Sequence, residues 1–142
     1  MLDTYRDLID ELLGTPQTVR QLVTAGSVTP KAAALIAQTR DRDRLELVRL
    51  NRMLHETAPY LPPIRELAAE PVGDIEATLA EMEQARGDLI SLLMNLTLKD
   101  WERTATDDVE GEILLADEVE RHVEFDESQL ACIRTALGGD GE

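Results

Sequence analysis

The stretch that decides the fold is "IEATLAEMEQARGDLISLLMNL", residues 75 to 96. Its large apolar residues recur at alternating steps of four and three, a spacing that brings side chains back to one face of a helix. The members of this stripe are Ile75, Leu79, Met82, Leu89, Leu93 and Leu96, and only Arg86 breaks it. Asp74 precedes the stretch as a suitable N-cap. The pattern predicts a long helix packed in a bundle.

Two helical segments are indicated before this stretch. An apolar stripe opens the chain, Gly14 interrupts it, and "TPQTVRQLVTAG" (15–26) then begins with a threonine cap followed by proline. These two pieces are predicted to form one broken helical arm. The same threonine-proline pair begins "TPKAAALIAQTRDRDRLELVRLNRMLHETAP" (29–59), which predicts a long second helix.

The remaining segments complete a bundle. Residues 60–73 hold three of the six prolines and predict a long connection between the second and third helices. Thr97 and Asp100 have the spacing of a capping box for one helical turn, after which we expect an irregular or extended acidic connection. A last helix is predicted over roughly residues 114–137. The order predicts an all-α four-helix bundle.

Length and composition limit the possibilities further. The 142 residues predict one domain spanning 1–142, with residues 1–2 and 138–142 as flexible ends. The formal net charge of -15 argues against a nucleic-acid partner and against anionic membranes. No signal peptide or membrane span is indicated, so we expect a cytoplasmic protein. Cys132 is the only cysteine and is expected to be buried and inert.

The chain resembles the DinB-like four-helix-bundle family. Besides the phrase at 15–26, the resemblance rests on "ALIAQTRDRDRLELVRLNRMLHETAPYLP" in the second helix and its exit, "LTLKDWERT" after the third helix, and "HVEFDESQLACIRTAL" in the last. It implies a bundle that is often dimeric, with a divalent metal in its middle, and activities such as thiol-dependent transfer and isomerisation. It does not imply DNA chemistry.

The resemblance also implies three histidine ligands, and all three are missing. Gln38 stands where the first is expected, with Asp41 matching the Asp that follows it, and Phe125 and Gln129 stand where the last-helix pair is expected. His122 matches a further histidine that often precedes the pair. Because carboxamides are poor ligands and a phenyl ring is none, these residues cannot hold a catalytic metal.

The preferred interpretation is therefore a bundle that has lost its metal centre. Gln38 and Gln129 are expected to hydrogen-bond across the bundle, and Phe125 to fill the space of a lost imidazole and ion. We expect no cofactor, a homodimer, and a role in binding a small ligand or another protein. The predicted residual pocket consists of Gln38, Asp41, His122, Phe125, Asp126 and Gln129.

One alternative is a divalent-metal-dependent, thiol-dependent transferase or hydrolase with a relocated site. Glu118, His122 and Asp126 follow one another at steps of four and, with Asp41, could supply one nitrogen and several oxygens.

The charge run "RDRDR" at 40–44 allows two interpretations. Its arginines could form salt bridges to the acidic stretch 107–127 or make a solvated mixed-charge face.

Overall fold

The computed structural model describes residues 3–65, 70–71 and 73–137, and it confirms the predicted four-helix bundle. The elements are α1 (Asp3–Ala25), α2 (Pro30–His55), β1 (Tyr60–Leu61), α3 (Ile75–Met94), α4 (Leu98–Trp101), β2 (Thr104–Asp107), β3 (Gly111–Leu114) and α5 (Leu115–Ala136). Helices α1 and α2 each pack against both α3 and α5. The predicted flexible ends lie outside the described residues.

Three of the four predicted caps are present at the starts of helices, whereas the fourth, Thr15, lies inside α1. The Thr29 hydroxyl accepts a hydrogen bond from the backbone N–H of Ala32 at 3.1 Å, with a proline at the first position of α2. Asp74 caps α3 in the same way. Thr97 and Asp100 form the predicted capping box of α4. Local sequence therefore sets where these three helices begin.

The prediction of a broken first arm is wrong, because α1 runs as one helix through Pro16. A proline inside a helix has no N–H for the carbonyl four residues earlier, which here is that of Leu12. That carbonyl oxygen instead accepts a hydrogen bond from Nη1 of Arg86 on α3 at 2.7 Å. A side chain from another helix thus takes the place of the missing backbone donor, and no break is needed.

A small three-stranded sheet covers one end of the bundle and was not predicted as such. Strand β2 pairs in parallel with β1 and in antiparallel with β3. β2 and β3 lie in the predicted acidic connection, and Gly111 ends their short turn with a φ of 82°, which favours glycine. The Asp107 side chain accepts hydrogen bonds from the backbone N–H groups of Val109 and Glu110 and so stabilises that turn.

The apolar core is divided into two clusters. One contains Leu50, Leu89 and Val119, and the other contains Ile36, Met82 and Ile133. On each of the four long helices, buried polar or charged residues lie between the positions that contribute to the two clusters. The bundle is therefore built as apolar, polar and apolar layers along its length.

The surface shows one further correction. Cys132 is exposed, because α5 buries its neighbour Ile133 and the adjacent position points away from the core. His55, at the end of α2, is exposed. Within the described ranges, no helix has the length and apolar character needed to cross a membrane.

Candidate functional site: a buried ionic network

The polar layer between the two apolar clusters contains a connected set of charged side chains, which we call the ionic network. Nine of its ten members are buried, and Arg121 lies at its edge. They are five basic residues, Arg42, Arg49, Arg86, Arg121 and His122, and five acidic residues, Asp43, Glu46, Asp107, Glu118 and Asp126. Buried charges are tolerated when they are paired and hydrogen-bonded, and the matched numbers meet that requirement.

Arg86 lies in the centre of the bundle and uses every N–H of its guanidinium group. Nε and Nη2 donate to the two oxygens of Asp43 on α2, each at 2.9 Å. Nη2 and Nη1 donate to the two oxygens of Asp126 on α5, at 2.8 and 2.7 Å. Nη1 also donates to the carbonyl oxygen of Leu12 on α1. Since a guanidinium carries five N–H donors, these five oxygens, which we call the guanidinium cage, satisfy it fully.

His122 on α5 supplies a second buried cation beside the cage. Its Nε2 lies 2.7 Å from Oδ1 of Asp43, and its Nδ1 lies 3.4 Å from Oε1 of Glu46. Burial alone would lower the pKa of His122, but the contacts with Asp43 and Glu46 outweigh it and raise that pKa to about 9. Burial would also raise the pKa of Glu46. The hydrogen bond from His122 opposes this effect and helps to lower that pKa to about 2. Both ring nitrogens of His122 thus lie near carboxylate oxygens, an arrangement that stabilises the imidazolium form.

The other half of the network is built around Arg49 on α2. Its Nε and Nη2 donate to the two oxygens of Glu118 at 2.7 and 3.1 Å, and Nη2 also donates to Asp107 at 3.0 Å. Its Nη1 donates to the carbonyl oxygen of Pro62 at 2.7 Å. Arg121 donates to the same two carboxylates from the outer side, and its hydrogen bond to Asp107 is the main cause that lowers the pKa of this aspartate. This half ties α5 to α2 and to the sheet.

The two halves meet where Glu46 faces Glu118. Oε1 of Glu46 accepts a hydrogen bond from Arg42 at 2.7 Å, whereas its buried Oε2 has no hydrogen-bond partner among the described residues. Burial and the charge of Glu46 raise the pKa of Glu118. Two carboxyl groups can hydrogen-bond when one of them carries a proton. The raised pKa of Glu118 favours its protonated form at this contact, from which Glu118 can donate to Glu46.

Two positions at which the resemblance places metal ligands meet in the same layer. Nε2 of Gln129 donates to Oε1 of Gln38 at 2.8 Å, which confirms the predicted hydrogen bond across the bundle. Phe125, at the third such position, is half-buried, and its ring centroid lies 5.7 Å from that of His122. The guanidinium carbon of Arg42 lies 5.0 Å from the centroid of the Phe125 ring. An amide pair and an aromatic stack thus fill these positions.

The residues of the relocated metal site do not converge on one point. Asp41 is bound to its neighbour Arg40, with 2.8 Å between Nε and Oδ1. Glu118, His122 and Asp126 are each bound to other members of the ionic network. Within the part of the chain that the structure describes, no group of three or more His, Cys, Asp or Glu side chains is placed to hold a metal. This donor set does not fit a divalent ion, because its carboxylates already bind the chain's own arginines and the ring nitrogens of His122 face Asp43 and Glu46.

The charge run at 40–44 proves to be mostly buried. Arg40 binds carboxylates of α2 and α3, and Arg42 binds Glu46 and lies against His122 of α5. Arg44 is exposed. Arg40 and Arg42 thus form salt bridges, but with Asp41, Glu81 and Glu46 and not with the acidic stretch 107–127 that was predicted. The exposed Arg44 lies 3.7 Å from Asp41 and belongs to a solvated mixed-charge face.

Sequence reasoning missed most of the ionic network. It identified His122, Asp126 and Glu118 as candidates, but not Arg86, Arg49, Asp43 or Glu46, which bind them. The signal that could have found Arg86 is its place in the apolar stripe of α3, where its spacing predicts burial and its charge requires a buried anion. Sequence order alone does not say which carboxylates those are.

Comparisons with known proteins support the fold. A solved structure described as "YfiT from Bacillus subtilis is a probable metal-dependent hydrolase with an unusual four-helix bundle topology" matches with a TM-score of 0.79 and 20% sequence identity, over 96% of this chain and 87% of that one. No protein-family model matches the chain, and no curated protein does. The chain therefore has the fold that the DinB-like resemblance implied.

Proposed function

We propose that this protein is a DinB-like bundle without the family's catalytic metal, and that it acts by binding a small ligand or a protein partner. The observation that carries the proposal is the hydrogen bond between Gln38 and Gln129, because two positions expected to hold metal ligands bind each other instead. Hydrolysis assisted by a metal requires an ion with an open coordination position for water. The side chains in this layer do not supply such a site.

The proposed location for a ligand adjoins the ionic network. Asp126 and Thr15 line a cleft of about 280 Å³ between α1 and α5. Gly14 lines the same cleft and leaves space there, since a Cβ at this position would meet nothing within 4 Å. Of the predicted pocket residues, Asp126 is the one that this cleft reaches. This arrangement supports the ligand-binding form of the proposal.

Metal analysis tests the proposal directly. Protein purified without chelator should contain no stoichiometric metal, and titration with Zn²⁺ or Ni²⁺ followed by calorimetry should show no tight one-to-one binding. The expected result follows from the absence of imidazole ligands at the three positions. Tight one-to-one binding that His122→Ala abolishes would contradict the proposal and favour the relocated site.

A matched variant serves as the positive control for that experiment. The triple substitution Gln38→His, Phe125→His and Gln129→His restores the histidines that the resemblance implies. We expect this variant to bind Zn²⁺ or Ni²⁺ at one ion per chain, because three imidazoles on facing helices form an open metal site. If the variant folds and binds no metal, the three positions were assigned incorrectly and the proposal loses its basis.

We further propose that the chain forms a homodimer through α2 and α3. A groove of about 580 Å³ between these helices is lined by Leu47 and Leu92 among other residues, and Val48 and Met94 are exposed on the same two helices.

The double substitution Val48→Glu and Met94→Glu tests the dimer. It should raise the dissociation constant of the dimer about tenfold or more, because the new charges must be desolvated on association. Light scattering after size-exclusion chromatography measures the fraction of dimer. Val109→Glu, on the hairpin, should leave the dimer intact, and a monomeric wild type would refute the proposal.

A further inference from the structure

We infer that the guanidinium cage is a cation site shaped for a planar guanidinium group, and that Arg86 fills it as a permanent, covalently attached ion. This inference rests on the proposed function in one respect, namely that no metal ion occupies the centre of the bundle. It goes further by naming the class of cation that the centre accepts. The cage consists of the two carboxylates of Asp43 and Asp126 and the carbonyl oxygen of Leu12.

The first argument is the shape of the cage. Asp43 presents both oxygens to the edge formed by Nε and Nη2, and Asp126 presents both oxygens to the edge formed by Nη1 and Nη2. Each is therefore a bidentate contact, the arrangement that a planar guanidinium makes and an ammonium group cannot. The carbonyl of Leu12 takes the one remaining N–H. Five directed acceptors thus match five directed donors.

The second argument is that other groups hold the cage oxygens in place. The Thr15 hydroxyl donates to Oδ2 of Asp126 at 2.8 Å, and Nε2 of His122 lies 2.7 Å from Oδ1 of Asp43. The carbonyl of Leu12 is left without its helical N–H by the proline four residues later, whatever occupies the cage. None of these three restraints involves Arg86. The cage is therefore expected to keep its shape when the arginine side chain is removed.

The third argument concerns access. Arg86 is 2% exposed, so in the natural protein its guanidinium does not exchange with ions in solution. Its five oxygens come from α1, α2 and α5, while the cation comes from α3. The single side chain thereby performs the cross-linking that a bound ion performs in metal-centred bundles. Removal of the Arg86 side chain should turn this closed position into a binding site for a free guanidinium ion.

Chemical rescue tests the inference. Arg86→Ala protein should gain roughly 3 to 6 °C in melting temperature when guanidinium chloride is added at about ten times its dissociation constant, kept within the low millimolar range. Sodium chloride and ammonium chloride at the same concentration, and Zn²⁺, should give no comparable gain. Wild-type protein should show no gain with guanidinium. No rescue, or equal rescue by ammonium or Zn²⁺, would overturn the inference.

A second variant covers the case in which Arg86→Ala does not fold. Arg86→Lys keeps the charge but loses the planar fork, so it should fold with a melting temperature clearly below that of the wild type. If lysine matched arginine, charge alone would suffice and the inference would be wrong. The two proposals can fail separately: stoichiometric metal in the wild type contradicts the proposed function, whereas missing guanidinium rescue contradicts only the cage.

Discussion

Truncation of Arg86 to alanine should lower the free energy of unfolding by about 4 kcal/mol, a large fraction of the stability of a domain of this size. The physical reason is that Asp43 and Asp126 would remain buried with negative charge and without their main cation. The cost of leaving a buried charge unpaired exceeds what the intact pair contributes. Urea denaturation at neutral pH, followed by circular dichroism, measures the change.

Arg20→Ala is the matched control for this prediction. Arg20 also donates four hydrogen bonds to two carboxylates, those of Glu76 and Glu83, but it does so at the surface. Exposed ion pairs contribute little because water already solvates both partners. The urea midpoint of Arg20→Ala should therefore stay close to that of the wild type. An Arg86→Ala loss no larger than the Arg20→Ala loss would show that burial of the network has no energetic effect.

Raising the pH should destabilise the protein through His122. Its pKa is raised to about 9 in the folded protein from an ordinary value of 6.5. The stabilisation from its protonated form is therefore fully present below pH 6.5 and is lost as the pH rises through 9, with a total of roughly 3 kcal/mol. Glu118, whose pKa is also raised, contributes in the same direction, beginning at lower pH. Urea unfolding at a series of pH values between 6 and 10 measures the decline.

Two histidine variants separate the contribution of His122 from the rest. At pH 6.5 the free energy of unfolding of His122→Gln should be lower than that of the wild type. Between pH 6.5 and 9 it should fall much less than in the wild type, because glutamine does not titrate. His55→Gln should leave the decline unchanged, since His55 is exposed at the end of α2 and bonded only within its own helix among the described residues. If His122→Gln kept the wild-type slope, protonated His122 would not be the source of the pH dependence.

The helices could be predicted from sequence because their determinants are local. In the stripe from Ile75 to Leu96, with Arg86 included, successive members are three or four residues apart. The Thr29 cap and the Thr97 capping box likewise involve groups three residues apart. The prediction failed at Pro16, where the local rule favoured a break. The compensating donor comes from Arg86, seventy residues later, and no local pattern contains it. The strand β1 was missed for a similar reason, because its pairing partner lies more than forty residues away in the chain.

In the candidate site, too, some contacts could be predicted from sequence and others depend on the assembled fold. The contact between Gln38 and Gln129 could be predicted because the family resemblance places both positions at one known site. Arg49 and Asp43 could not, since both stand in stretches rich in charge that are typical of a solvated helix face. What distinguishes them is burial against a specific opposite charge on another helix. That property belongs to the assembled bundle.

The layered arrangement of the core has a consequence for how the helices align. Leucine, isoleucine and valine side chains tolerate sliding of one helix along another, because an apolar surface moved by one turn still meets an apolar surface. The ionic layer does not tolerate it, since a shift of one turn would carry Arg86 away from Asp43 and Asp126 and bury all three charges unpaired. A single polar position fixes register in this way in coiled coils. We therefore expect the layer to determine how the four helices align along their axes. Replacing the whole layer with apolar residues should give a bundle that is stable but less uniquely aligned.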